Sequence, residues 1–129
     1  MNSQGVVILE MAGGPGMITI GKETKTLTDK DKKKFTYIWD QRSFNPVDRN
    51  AHYAIHFKLP NGKSLNNAFT YDWRLWTIPE VRDVFAEAGF KKTYVYWENE
   101  HKGKGTGEYS QTEHADNAFA WIAYVVAVR

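Results

Sequence analysis

The sequence contains no cysteine, which excludes disulfide bonds, thiolate nucleophiles and thiolate metal sites. It also has no apolar run that approaches the roughly 18 residues of a membrane-spanning helix. The charges nearly balance, because 17 Lys and Arg residues against 15 Asp and Glu residues leave a surplus of only +2. So small a surplus does not indicate a nucleic-acid partner or a membrane partner.

The first residues, MNSQGVVILEM, contain no basic segment and no cleavage site of the kind that a secretory signal has. We therefore expect a cytoplasmic protein, and the absence of cysteine agrees with a reducing compartment. At 129 residues the chain is predicted to form a single domain, residues 1–129.

Aromatic residues make up 15% of the chain, with five Trp, seven Tyr and seven Phe. This is more than the core of so small a protein needs. Some of these rings are therefore expected to face a ligand pocket or another subunit.

The chain begins with an apolar run at residues 6–11, which predicts a buried central strand that ends in a glycine-rich turn. Two polar stretches are predicted to be loops. Residues 21–34 are rich in lysine and are expected to be mobile, and the glycine-containing residues 99–117 are expected to be flexible.

Strand and helix patterns fill most of the remaining sequence. Apolar and polar residues alternate across residues 35–73, with Pro60-Asn61-Gly62-Lys63 as a hairpin turn, which predicts an antiparallel meander. Thr77 and Glu80 form a capping-box pattern with Pro79 in the first turn, and Gly89 supplies a helix stop. Residues 91–98 and the apolar residues 119–128 are predicted to be strands.

Four motifs within this part of the chain are distinctive as a set. They are YDWRLW at residues 71–76, TIPE at 77–80, EAGF at 87–90 and YVYWE at 94–98. Together they resemble the C-terminal part of class I S-adenosylmethionine-dependent methyltransferases, truncated so that the cofactor-binding half is absent. The resemblance implies the C-terminal portion of a Rossmann-like sheet. The predicted fold class is accordingly α+β, a mixed and largely antiparallel sheet of five or six strands with one main helix on one face.

A cluster of aromatic and charged residues is the candidate site for a small-molecule ligand, because an aromatic neighbourhood with a few convergent charges is typical of such pockets. The alternatives are that Arg74 pairs with Asp72 or Glu98 as a structural brace, and that the same face is a subunit interface. The candidate ligand-binding residues are Trp39, Tyr71, Asp72, Trp73, Arg74, Trp97 and Glu98.

No catalytic residue and no metal ligand is assigned. His52 and His56 share one face of a predicted strand but lie about 13 Å apart at ~3.3 Å per residue, which is too far for one metal ion. Gly103-Lys104-Gly105-Thr106-Gly107 has the composition of a phosphate cradle without the order of a P-loop, so it is interpreted as a turn or a ligand lid.

Three functions remain open. The first is a self-associating domain that binds a small molecule in an aromatic cleft and needs no cofactor. The second is a methyltransferase whose S-adenosylmethionine site is rebuilt at residues 10–16 or completed by a partner. The third is a purely structural interaction protein. A homo-oligomer is expected because one helix leaves a sheet face uncovered.

Overall fold

The computed structural model describes residues 2–129. Within them the chain divides into two compact units. The first unit contains the chain up to Met17 together with Trp76–Arg129, and the second contains Ile18–Leu75. The helices and strands are β1 (Val6–Gly13), a 3-10 turn (Pro15–Ile18), β2 (Gly21–Thr28), β3 (Lys34–Phe44), β4 (Asn50–Lys58), β5 (Ser64–Arg74), α1 (Ile78–Glu87), β6 (Lys92–His101), β7 (Lys104–Gln111) and β8 (Trp121–Val128).

The predicted fold class is wrong. The eight strands form two four-stranded sheets, and every strand pair is antiparallel. A Rossmann-like sheet consists of parallel strands, which need long crossover connections that usually contain a helix. Here α1 is the one α-helix in residues 2–129, and most strands follow one another through short turns. The mixed α+β sheet and its methyltransferase-like character are therefore not retained.

The second unit is an antiparallel meander in the order β2-β3-β4-β5. It confirms the meander predicted for residues 35–73 and the hairpin turn before β5. In that turn Gly62 has a φ of +81° and donates its N–H to the Leu59 carbonyl at 3.0 Å. A positive φ is easily adopted by glycine, which explains why the Asn-Gly pair was a reliable signal.

The first unit is a sheet in the order β1-β8-β6-β7, with α1 packed against β8 and β6. Its core contains Met11, Val81 and Val125, with Ile78, Phe85 and Trp121 packed around them. Alternate residues of β8, namely Ala123, Val125 and Ala127, are fully buried. The residues between them, such as Ile122, lie on the opposite face of the sheet.

Helix α1 begins and ends where the sequence predicts. The Thr77 side chain accepts a hydrogen bond from the Glu80 N–H at 3.4 Å, and the Glu80 carboxylate accepts one from the Thr77 N–H at 3.0 Å. Gly89 follows the helix with a φ of +94°. The reciprocal bonds satisfy two backbone donors that the first helical turn leaves free.

Three local predictions need correction. Val6–Gly13 is a strand, but it is an edge strand rather than a central one, because β8 is its one partner. Residues 21–34 contain β2, and residues 99–117 contain the end of β6 and the whole of β7. Both stretches are polar and exposed, so the side-chain pattern predicted loops. Their order comes from backbone hydrogen bonds to neighbouring strands.

No helix within residues 2–129 has both the length and the apolar character that a membrane crossing requires.

Candidate ligand-binding site

Three of the predicted site residues meet on one face of the second unit. The ring of Trp39 lies 6.0 Å from that of Tyr71 and 6.5 Å from that of Trp73, and the rings of Tyr71 and Trp73 are 4.5 Å apart. Tyr53, which was not assigned to the site, stacks on Trp39 at 5.0 Å. These four rings form a continuous aromatic surface, which we call the aromatic face.

Asp72 and Arg74 do not join the aromatic face. They alternate with Tyr71 and Trp73 along β5, so their side chains project from the opposite side of the sheet. The Asp72 carboxylate accepts a hydrogen bond from the Asn50 amide at 2.5 Å and lies 3.9 Å from His52 Nδ1. The aromatic and charged groups of β5 therefore do not converge on one ligand position.

Trp97 and Glu98 belong to the first unit, where Trp97 lies beside a cleft of about 430 Å³. Val95 and Trp97 of β6, Ile78 and Pro79 at the start of α1, and Ala115 after β7 contribute apolar surface. The polar lining comes from Arg82, Asp83, Thr112, Glu113 and His114. We call this the Trp97 cleft.

An ion pair holds the rim of the Trp97 cleft. Arg82 on α1 donates to the two carboxylate oxygens of Glu113 at 2.7 and 3.3 Å, and its Nε donates to the Thr93 hydroxyl at 2.9 Å. The hydrogen bond from the Arg82 guanidinium lowers the pKa of the Glu113 carboxyl. The geometry is bidentate, which restrains both side chains more than a single contact does.

The segment after β7 forms the other wall of the cleft. The Thr112 N–H donates to the Val95 carbonyl at 2.9 Å, and the Thr112 hydroxyl donates to the His114 carbonyl at 2.7 Å. The His114 N–H in turn donates to the Thr112 hydroxyl at 3.1 Å. This local turn keeps the chain close to β6, so that the cleft is lined on both sides.

A second cleft of about 420 Å³ adjoins the first and shares Trp97, Thr112, His114 and Ala115 with it. Glu98 lines this second cleft. The Glu98 carboxylate accepts a hydrogen bond from the Gly107 N–H at 3.0 Å. One backbone N–H of the glycine stretch is therefore bound to an anionic side chain, which does not suit a phosphate cradle.

The glycine-rich turn at residues 10–16, the alternative cofactor site, is packed against its own chain. A Cβ atom added to Gly16 would lie 2.6 Å from the Phe119 ring and 2.7 Å from the Phe119 carbonyl oxygen. The Gly16 N–H donates to that carbonyl at 2.6 Å. Close packing between these segments is therefore a structural reason for glycine at this turn.

The sequence did not reveal a polar cluster on the second unit, on the face opposite the aromatic rings. Asp40 is the one buried charged residue within residues 2–129, and His56 Nε2 lies 2.9 Å from its Oδ2 atom. Arg42 Nε donates to the same oxygen at 3.2 Å. Arg42 also donates to the Asn67 side chain, and His56 Nδ1 accepts the Asn67 N–H at 2.8 Å.

His56 in this cluster is a structural group. Because Nδ1 accepts a hydrogen bond, the neutral ring carries its proton on Nε2 and donates it to Asp40. Both ring nitrogens are thus engaged, which leaves no lone pair for a general base. An acidic residue in the middle of the aromatic strand β3 was the available signal, since alternation places Asp40 and His56 on the same face.

Within residues 2–129, His, Asp and Glu side chains do not form a group of three or more that is able to hold a metal ion.

No protein-family model, curated protein or solved structure matches this chain.

Proposed function

We propose that this protein binds a small molecule in the Trp97 cleft. The observation that supports the proposal is the cleft itself, whose volume of about 430 Å³ lies within the range of small-molecule sites, roughly 300 to 1,000 Å³. Its lining combines an indole and aliphatic groups with a small number of polar side chains. This composition is typical of pockets in which apolar contact provides affinity and polar groups set orientation.

The walls of the cleft are restrained by the protein's own contacts. The capping box fixes the start of α1, and the Arg82–Glu113 pair connects α1 to the segment after β7. Trp97 packs beside Trp121 with ring centroids 4.9 Å apart. A ligand that enters a restrained cleft loses less free energy to ordering the protein, so even modest contacts give measurable affinity.

The charges of the cleft favour a neutral or cationic ligand over an anion. Glu113 already compensates the positive charge of Arg82, and Asp83 adds a negative charge. The adjoining cleft contributes Glu100 and Asp116. An anion would therefore meet net negative charge, whereas an amine would be attracted to it and to the face of the indole.

Three probes of nearly equal size test this proposal: tryptamine, 3-methylindole and indole-3-acetate, which are cationic, neutral and anionic at neutral pH. We expect the first two to bind with dissociation constants of about 2 to 6 mM, the affinity that about 0.3 kcal/mol per atom gives molecules of roughly 10 to 12 heavy atoms. Amide chemical shifts should change at Val95, Trp97 and Thr112. Indole-3-acetate should bind more weakly.

Two variants provide the matched controls. Trp97→Ala and the cleft-filling Ala115→Trp should both remove the shift changes, whereas Trp73→Ala deletes an indole from the other unit and should leave them intact. Shift changes that persist in Ala115→Trp, or that occur at the aromatic face instead, would contradict binding in the Trp97 cleft. The filling variant keeps the test valid if Trp97→Ala fails to fold.

A further inference from the structure

Strand β1 presents an unusually apolar edge. It pairs on one side with β8, and its other side is the edge of the first sheet. Val6 is 50% exposed and Ile8 66% exposed on one face, while Leu9 is 40% exposed on the other. An edge strand carries a row of unpaired N–H and C=O groups that another strand can join.

The other three sheet edges carry features that discourage strand addition. Strand β2 is exposed throughout and carries Lys22, Glu23 and Lys25, and β7 begins with Lys104 between glycines. Strand β5 has a register irregularity near Asn67, whose φ is +52°. Strand β1, with the sequence VVILEMAG, has no lysine, arginine or proline, and its register with β8 is regular.

We infer that β1 pairs in antiparallel fashion with β1 of a second copy of this chain, joining two four-stranded sheets into one of eight strands. With the two-fold axis at Ile8, residues 6–10 of the two copies pair, a stretch about 17 Å long that closes about five backbone hydrogen bonds. This axis places Ile8, the most exposed apolar side chain of the edge, opposite Ile8 of the other copy.

The distribution of charge favours this occupant and this direction. Glu10 is the one charged residue of β1, and its carboxylate accepts a hydrogen bond from the Tyr124 hydroxyl at 2.8 Å. An axis at Ile8 places Glu10 opposite Val6 of the other copy, away from its own counterpart. On the same face, the end of the sheet at Val6 carries Lys92, which pairs with Val128. Antiparallel pairing therefore places Glu10 of one copy about 14 Å from Lys92 of the other, three strand spacings of ~4.8 Å away, so the long-range attraction between these charges favours this direction.

The face of the first sheet opposite α1 is uncovered, and it extends the apolar surface from β1 across the sheet. Ile122 of β8 is 46% exposed on this face and pairs with Ala12 of β1. Two sheets joined edge to edge leave this face open, whereas two sheets stacked face to face bury it. A substitution at Ile122 therefore distinguishes the two arrangements, because it lies on an inner strand.

Sedimentation equilibrium across a dilution series tests the inference. Wild type should behave as a monomer–dimer system, and Ile8→Lys should weaken dimerisation about tenfold or more, because two lysines then lie opposite each other. Ile122→Lys and Leu27→Lys, on an inner strand and on the charged edge β2, should change the dissociation constant less than about twofold. Circular dichroism checks that each variant is folded.

Mixing two variants gives the decisive result. Ile8→Glu alone should also dissociate, and an equal mixture of Ile8→Lys and Ile8→Glu should restore dimers, because opposite charges then face each other across the two-fold axis. A wild type that stays monomeric at every concentration overturns the inference. So does a dimer that Ile122→Lys weakens as much as Ile8→Lys does, since that result indicates face-to-face stacking.

Discussion

Asp40 shows how one residue of the second unit is stabilised in its charged form. Burial alone would raise the pKa of its carboxyl, but hydrogen bonds from His56 and Arg42, together with the charges of Lys22 and Arg42, outweigh burial and lower that pKa. Such a carboxylate favours the folded state wherever it is ionised. The cluster therefore connects β3, β4 and β5 through side chains as well as backbone.

We expect Asp40→Asn to lower the free energy of unfolding at pH 7 by about 1 to 3 kcal/mol, the usual cost of losing charged hydrogen bonds in a buried position. Because the folded pKa of Asp40 lies below the unfolded value of about 3.9, its contribution is complete above that value and is lost as pH falls through the folded pKa. The difference between wild type and variant should therefore shrink in acid.

Urea denaturation at pH 7 and at pH 3 measures this effect. Asp72→Asn serves as the control, because the Asp72 side chain is 66% exposed and an exposed contact of this kind contributes less than about 1 kcal/mol. Equal losses in the two variants, or a loss at Asp40 that does not depend on pH, would rule out the buried carboxylate as the cause.

Gly16 allows a second test of a single residue. Gly16→Ala should destabilise the protein by about 1 to 3 kcal/mol, because the new Cβ meets the Phe119 ring and carbonyl oxygen at 2.6 and 2.7 Å. Phe119 is 69% exposed, so its ring has room to turn aside, whereas the carbonyl belongs to the backbone. The penalty should therefore persist in a Phe119→Ala background, as measured by thermal unfolding. Its disappearance there would show that the ring alone causes it.

Among the elements, α1 is the one whose limits depend mainly on its own sequence. The capping box connects Thr77 and Glu80 within one turn, and Gly89 ends the helix with a left-handed backbone. These contacts do not need the sheet to be in place. They also set the position of Ile78 and Arg82, which line the Trp97 cleft.

Thr77→Ala should therefore lower the free energy of unfolding by about 1 kcal/mol, the typical cost of losing an N-cap side chain. Glu80→Ala should cost less, and the double variant should cost less than the sum, because the two side chains bond reciprocally. Chemical denaturation of the four proteins of this cycle measures the coupling. Strictly additive losses would show that the two side chains act independently.

The strands β2 and β7, in contrast, depend on neighbouring strands more than on their own sequences. Both are polar and exposed over most of their length, so their side chains give no period-two signal of burial. Each becomes a strand because a more apolar neighbour, β3 or β6, offers an edge with which its backbone pairs. Composition therefore predicted loops where the sheets have their outer strands.

In the whole molecule, the high aromatic content is divided between several surfaces. The second unit has its aromatic face, and Trp97 lies beside the cleft of the first unit. Tyr109 and Tyr124 pack edge to face at 5.0 Å on the uncovered side of the first sheet. The expectation that surplus aromatics face a pocket or another subunit thus has three specific locations, and the ligand-binding experiment tests the one beside Trp97.

The sequence alone determined the features that depend on residues close together in the chain. The capping box joins positions three residues apart, the Asn-Gly turn needs one flexible backbone, and alternation in β3 to β5 reflects the pleat of each strand. These interactions are formed within a few residues, so a local pattern is sufficient to predict them.

Only the tertiary structure decided which strands are neighbours and where the candidate sites lie. Glu10 and Tyr124 are hydrogen-bonded although 114 positions separate them, and β1 is an edge strand rather than a central one because β8 is its one neighbour in the sheet. The Asp40 cluster and the Trp97 cleft likewise combine side chains from several strands or from α1. Such contacts depend on the register and order of distant segments, which are selected by the total free energy of the folded chain rather than by any local pattern.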